Sequence, residues 1–296
     1  MANRNNEDRM GVKHPNQDAP PTTGGNLAGG PPHGGGTPLT FIAPTEFVEL
    51  PSKGLYYPEG HPLHGETAIE IKHMTTREED ILTSQALLRQ GKALNRFVRA
   101  IISDPRIDPD SLIIGDKNAV LVAARKSGYG SEYVTKVTCP SCQTQVSHEF
   151  SLDEANATDG IEELENEENC EATGNGTFLI KTLPVTGWNV EVRPLTGADE
   201  KTLTASVEAR KKRKLPEDML TTQLALFTVS IQGVTDRMQI TEAVRAMPAK
   251  DSRTLRQAYQ RIMPNLDLTQ HFECPECNHA GDMEVPFTTD FFWPKQ

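Results

Sequence analysis

Cys139-Pro140-Ser141-Cys142 and Cys274-Pro275-Glu276-Cys277 are two nearly identical cysteine turns set far apart in one chain. Two residues between cysteines let a tight turn aim both thiolates at one ion, and two such turns complete a tetrahedral shell with metal–sulfur distances of about 2.3 Å. Strand-like sequence flanks each turn: Tyr133–Thr138 and Gln143–Phe150 around the first, His271-Phe272 and Met283–Phe287 around the second. This is the hairpin pattern of a zinc ribbon, with Cys139, Cys142, Cys274 and Cys277 as ligands and a structural Zn2+ as the expected cofactor.

The separation is unusual, because residues 143–273 lie between the turns where an ordinary ribbon has roughly 15–20 residues. Three doublings of loop length add only about 1.8 kcal/mol of closure entropy, whereas structural zinc contributes roughly 10–16 kcal/mol of apparent binding free energy. The gap is therefore compatible with the site and implies an inserted body that brings the turns together. Disulfide pairing and two separate redox motifs are the competing readings. Disulfides need an oxidising compartment, and the start Met1–Glu7 leads into polar, Gly-rich sequence without the apolar core of a signal peptide. A closed four-thiolate shell offers no coordination position to water or substrate, so the metal is expected to be structural and not catalytic. Cys170 lies in an acidic segment and is read as a bystander; His148, His271 and His279 lie near the turns as substitute ligands or, more simply, as exposed hairpin residues.

The net charge of −11 is concentrated. Nine acids fall between Asp153 and Glu171, where there is no Lys or Arg, and the rest of the chain is nearly neutral. Phosphate binding needs a basic face. Arg210–Lys214 is the one run of positive charge, without interleaved aromatics for base stacking, and reads as a solvated helix end. No specific nucleic acid is expected as a partner, and with no apolar run near the roughly 20 residues that span a bilayer, no membrane either.

In chain order, residues 1–40 form a Gly/Pro-rich tail expected to be disordered. An N-terminal α+β region with the first zinc turn follows over 41–152. It contains a Pro/Gly turn at Leu50–Pro58, a strand at Ala68–Lys72, and a helix opened by two overlapping capping boxes, Thr75 with Glu78 and Thr76 with Glu79, and running to Gly91. Further helices are expected over Ala93–Ser103 and after Asp116, the latter read as a cap. Residues 153–175 read as an acidic flexible insertion. Strands around Phe178–Lys181 and Trp188–Val192, then helices at about Gly197–Lys211, Pro216–Ile231, Thr241–Met247 and Ala249–Met263, make up 176–268. Asp251–Arg256 reads as a surface ion-paired face. The second zinc turn and an aromatic end, Phe291-Phe292-Trp293, occupy 269–296, the aromatics docking on the ribbon or on a partner protein. The fold class is α+β: a mainly helical body with short hairpins and a split four-cysteine zinc ribbon closing the N- and C-terminal halves. No phosphate loop, Gly-x-Ser-x-Gly elbow or His-Glu-x-x-His helix is present.

Taken together, Leu50–Pro58, Glu79–Leu82, Gly115–Ala119, Tyr129–Tyr133, both cysteine turns, Arg193–Glu200 and Phe291–Pro294 resemble the baseplate hub subunit family of T4-like contractile-tailed bacteriophages. The resemblance covers roughly residues 41–296. It implies a non-catalytic structural or assembly component of the tail baseplate hub, partnered by other tail and hub proteins, the tape measure protein among them. The implied location is the virion or, during assembly, the host cytoplasm. The zinc turns and the basic run leave a second reading, a zinc-ribbon regulator that binds nucleic acid or a polymerase.

Overall fold

In the computed structural model, which describes residues 43–214, 216, 218–286 and 289–292, the alternating Ala68-Ile69-Glu70-Ile71-Lys72 becomes a strand buried on one face. This strand, β2, pairs antiparallel with β1 (Thr45–Glu49). Then come α1 (Thr76–Thr83), α2 (Gln85–Arg89), α3 (Ala93–Ile101) and α4 (Ile114–Tyr129). Of the two capping boxes, Thr75 with Glu78 is the one that forms, Glu78 accepting from the Thr75 backbone N–H at 3.0 Å. The helix expected up to Gly91 is broken at Ser84, whose extended ψ of 106° ends α1 and whose carbonyl accepts from Leu87 and Leu88 to start α2. Serine competes for such termini because its side chain favours non-helical backbone.

Asp116 does not cap α4. It sits in the first turn of the helix, wholly buried, and grips the Leu50–Pro58 turn. Its carboxylate accepts from the Ser52 N–H at 2.9 Å, the Ser52 hydroxyl at 2.6 Å and the Tyr57 hydroxyl at 2.7 Å. Tyr57 in turn accepts from the Ile113 N–H at 3.1 Å. Burial raises the Asp116 carboxyl above its ordinary value against these hydrogen bonds, and burial followed by the Asp116 charge raises the Tyr57 phenol.

Two hairpin strands follow, β3 (Glu132–Thr138) and β4 (Gln145–Ser151). The acidic stretch 153–175, expected to be flexible, carries short regular elements: β5 (Asn156–Thr158), α5 (Ile161–Asn166) and β6 (Cys170–Ala172). The chain continues through β7 (Phe178–Ile180), β8 (Val190–Val192), α6 (Gly197–Lys212), α7 (Met219–Phe227), β9 (Thr228–Ile231), α8 (Arg237–Ala246) and α9 (Ala249–Ile262). It closes with β10 (Asn265–Asp267), β11 (Thr269–Glu273), β12 (Ala280–Glu284) and a 3-10 turn at Thr289–Phe292. The helix expected over Pro216–Ile231 ends at Phe227, because the β-branched Thr228-Val229 and Ile231 add a strand to β8 and complete the antiparallel sheet β6-β7-β8-β9. Leu224 and Phe227 are core as read, while Leu220 is exposed. The expected tail at 1–40 lies outside the described residues.

Two hydrophobic cores result. One gathers β1, β2, α1, α3, α4 and both cysteine hairpins around Phe97, Val120, Tyr133, Phe150 and Phe272. The other gathers the four-stranded sheet and α7, α8 and α9 around Phe178, Phe227, Leu255 and Ile262. The chain leaves the first core through β5 and returns through β10, and these two strands pair with each other. Close backbone packing marks this neck: a Cβ on Gly160 (φ +73°) would lie 2.2 Å from the Ile262 carbonyl, and one on Gly115 2.4 Å from that of Pro264. Across the join, Lys117 pairs with Glu200 and Lys201 with Asp110, both at 2.5 Å; beside them, on the far side alone, Arg193 holds Asp199 through two bonds of 2.7 and 2.8 Å.

Asp251 corrects the expectation of a surface ion pair. It is buried and caps the β7–β8 turn, accepting from Val185 N–H (2.8 Å), Thr186 N–H (2.9 Å) and the Thr186 hydroxyl (2.7 Å). Burial would raise its carboxyl, but these donors outweigh it and hold the group below the ordinary carboxylate value. A depressed pKa stabilises the fold above the unfolded value and loses that contribution as pH falls through the folded one. Asp251→Asn should therefore flatten the acid limb of the stability–pH curve below about pH 4, measured by urea unfolding across pH. Asp116→Ala strands three buried donors and should cost about 3 kcal/mol by urea unfolding at neutral pH, Tyr57→Phe only about 1 kcal/mol.

Candidate metal centre

The two cysteine turns share one local design. Cys139 N–H donates to the Thr144 carbonyl (3.0 Å) and Gln143 N–H to the Cys139 carbonyl (3.0 Å); Cys274 N–H donates to His279 (2.9 Å) and Asn278 N–H to Cys274 (2.9 Å). Each turn places a left-handed residue directly after its second cysteine, Gln143 at φ 59° and Asn278 at φ 54°. That conformation is costly for most residues with a Cβ; the short amide of Asn278 suits it, and Gln143 is held by its Nε2 donating to the Pro140 carbonyl at 3.0 Å. The result aims all four sulfurs inward from the tips of two hairpins.

The four Sγ atoms lie within 4.8 Å of one another, with Cys139 to Cys277 at 3.7 Å and Cys142 to Cys274 at 3.8 Å. A disulfide requires about 2.05 Å, so the pairs are thiols in contact. Sulfur atoms bonded at about 2.3 Å to one tetrahedral ion stand about 3.8 Å apart. The donor set therefore fits a thiophilic metal of the zinc or iron class. Cys139 and Cys274 are buried, Cys142 and Cys277 exposed. Hydrogen bonds from the Thr144 side chain and backbone pull the Cys142 thiol down to about 6. For Cys277 the His279 N–H favours the thiolate, but desolvation and contact with the other three sulfurs prevail and push it up to about 12. Four thiols this close cannot all ionise without a cation among them.

Among the described residues the cluster consists of the four cysteines alone. His148 instead stands edge-on to Phe150 (4.6 Å) and Phe272 (5.1 Å), wedged between the hairpins. Cys170 is half-buried in β6, and burial raises its thiol to about 11.

Two residues invisible to motif reading lock the hairpins in place. Gln270 of β11 gives and takes a bond with the backbone of Ser151 at the end of β4: Ser151 N–H donates to its Oε1 at 2.9 Å and its Nε2 donates to the Ser151 carbonyl at 2.6 Å. Its amide thus imitates a strand-to-strand peptide pair between hairpins that share no ladder. Arg125 of α4, completely buried, donates to the carbonyls of Phe291 (2.7 Å), Gly130 (2.6 Å) and Glu132 (2.9 Å). It ties the C-terminal aromatics into the first core, where Phe291 meets Tyr133 of β3 edge-on at 5.2 Å and Phe292 meets Phe97 of α3 at 5.0 Å. Trp293 lies outside the described residues.

His61 Nε2 lies 2.8 Å from the Ser111 hydroxyl, but its Nδ1 accepts from the Leu63 N–H. The proton therefore resides on Nε2, which donates to Ser111 and cannot act as its base. The Arg210–Lys214 run closes α6, with Arg210 paired to Asp218 at 2.8 Å. No helix among the described residues is long and apolar enough to cross a membrane.

A family model described as T4 bacteriophage base plate protein matches residues 45–293. No curated protein matches the chain, and no solved structure does.

Gln270→Ala removes both bonds to Ser151 and should lower stability by about 1–3 kcal/mol. Thermal unfolding of the variant checks this; a conservative Gln270→Glu change should not restore it, because a carboxylate cannot donate to the Ser151 carbonyl.

Proposed function

The chain belongs to the T4 bacteriophage base plate protein family, and from that premise we propose that it serves as a non-catalytic structural or assembly component of the baseplate hub, riveted by one structural zinc ion. The family match over residues 45–293 carries the baseplate reading. The hub assignment draws on the resemblance of Leu50–Pro58, Gly115–Ala119, Arg193–Glu200 and the cysteine turns to hub subunits. Several of these stretches meet in space: Ser52 and Tyr57 bind Asp116, and Gly197 N–H donates to Leu112, beside the start of α4. A part that transmits load or holds neighbours needs such joints more than it needs a pocket.

Cys139, Cys142, Cys274 and Cys277 would hold the zinc, which supplies a cross-link between the two ends of the inserted body and no open position for substrate. The partners on this reading are other tail and hub proteins. Its domain plan is a ribbon-bearing N-terminal region at 41–152, a body at 176–268 joined by the acidic 153–175 segment, and the second hairpin at 269–296.

Metal analysis of protein purified without added metal should give one zinc per chain, and Cys274→Ser should lose it together with several kcal/mol of stability; iron, or no metal, overturns the zinc assignment. Mass spectrometry of purified particles tests the hub role. Stoichiometric presence marks a retained subunit, and absence together with defective tails in a phage lacking the chain marks an assembly factor. Normal tails in that phage would overturn both.

A further inference from the structure

β1 is an edge strand with one open side. Leu50 N–H donates to Thr67 and His73 N–H to Pro44, so the even-numbered residues of β1 face β2. By the alternation of an antiparallel ladder, the N–H and C=O groups of Thr45, Phe47 and Glu49 point away from it. No hydrogen bond from the described residues reaches these groups. The far side of β2 is covered by the Ile71–Ile102 bridge and the Ser103 N–H to Glu70 bond.

Other edges of the protein carry guards. Arg237 covers β9 by donating to the Thr228 and Ala225 carbonyls at 2.7 and 3.0 Å. β3 carries Glu132 and Lys136 on its exposed row, and β12 carries Asp282 and Glu284. Such devices keep strand edges from pairing. β1 instead places Phe47, 75 % exposed, at its centre.

We propose that β1 pairs antiparallel with β1 of a second copy of this chain, about a two-fold axis at Phe47, extending each two-stranded sheet into the four-stranded order β2-β1-β1-β2. In this register Thr45 faces the second copy's Glu49, Phe47 faces Phe47, and all three outward residues of each strand form hydrogen-bonded pairs. The isologous geometry closes on itself and leaves no further edge. The charges agree with it. Lys72 lies beside Thr45 on the same exposed face, so the joined sheet has the row Lys72, Thr45, the second copy's Glu49. Cation and anion then lie two strand spacings apart, about 9.6 Å between backbones, within reach of a lysine side chain and its glutamate. No like charges stand opposite on adjacent strands, and the two phenyl rings form a cross-strand aromatic pair. The same operation on β3, about its centre at Thr135, would set the Lys136 charge against the apolar Val134. Beyond Glu49, where the second copy's chain before Thr45 would run, there is an open cleft of about 540 Å³ lined by Leu50, Pro51, Lys53, Thr67 and Ala157.

Light scattering and sedimentation of the full chain over a range of concentrations test this. A concentration-dependent dimer is expected. Phe47→Pro deletes an outward N–H that the β1–β2 pair does not use, and should weaken the dimer at least about tenfold while circular dichroism stays unchanged. Phe47→Cys provides an independent readout. Facing Cα atoms in a hydrogen-bonded pair stand about 5.5 Å apart, inside the disulfide range of about 4.4–6.8 Å. Under oxidised glutathione F47C should become a covalent dimer, while the parent protein and K136C do not. A monomer at every concentration, with the edge covered by the chain's own first residues or reserved for another tail protein, overturns the proposal. So does equal cross-linking of K136C, or a folded F47P that dimerises like the parent.

Discussion

Four sulfur atoms within 4.8 Å of one another constrain the whole chain. They come from two hairpins far apart in the chain, so everything between Cys142 and Cys274 must leave the first core, fold, and return in register. The sulfurs do not act alone. The Gln270 amide bridges β4 to β11, His148 fills the seam between Phe150 and Phe272, and β5 pairs with β10 where the chain departs and comes back. Clustered thiols at the tips and a peptide-like bond at the base hold the hairpins at both ends, which leaves them little freedom to splay.

Helix α4 is the second organising element, and it works through two buried charges. Asp116 in its first turn receives the Leu50–Pro58 segment, and Arg125 near its end receives the Phe291 carbonyl. The carboxylate sits where the helix dipole favours an anion and the guanidinium where it favours a cation. Asp116 has its hydrogen bonds filled by groups distant in sequence, and Arg125 by the distant Phe291 carbonyl together with the nearby Gly130 and Glu132 carbonyls; filled hydrogen bonds are the condition under which a buried charge supports a fold instead of weakening it. The two termini of the first core are thus fastened to opposite ends of one rod.

What could be read in advance was local. Cysteine spacing, the β3–β4 and β11–β12 hairpins, the Thr75 capping box and the helices at Gly197–Lys212 and Ala249–Ile262 depend on neighbours a few residues away, and the sequence carries those neighbours. Asp116 looked like a helix cap and Asp251 like half of a surface pair because a carboxylate's partners, when they lie some 65 residues away, leave no periodic trace. β9 was absorbed into the preceding helix since Ile231 continues the helical spacing of Leu224 and Phe227 while the β-branched run Thr228-Val229 changes the backbone. Gln270 and Arg125 gave no signal at all: an isolated amide and an isolated guanidinium acquire their roles only from the carbonyls that the tertiary fold presents.

The pairing of β5 with β10 sets Thr158 and Asn265 side by side. Geometrically, the stretch from residue 159 to 264 is a lobe on a two-stranded stalk, and its two ends would be satisfied by a short reverse turn. A lobe attached in this way can be shortened, enlarged or exchanged without moving any of the four clustered cysteines. The ribbon and α4 form a chassis on which a tail-building lineage is free to vary what it mounts.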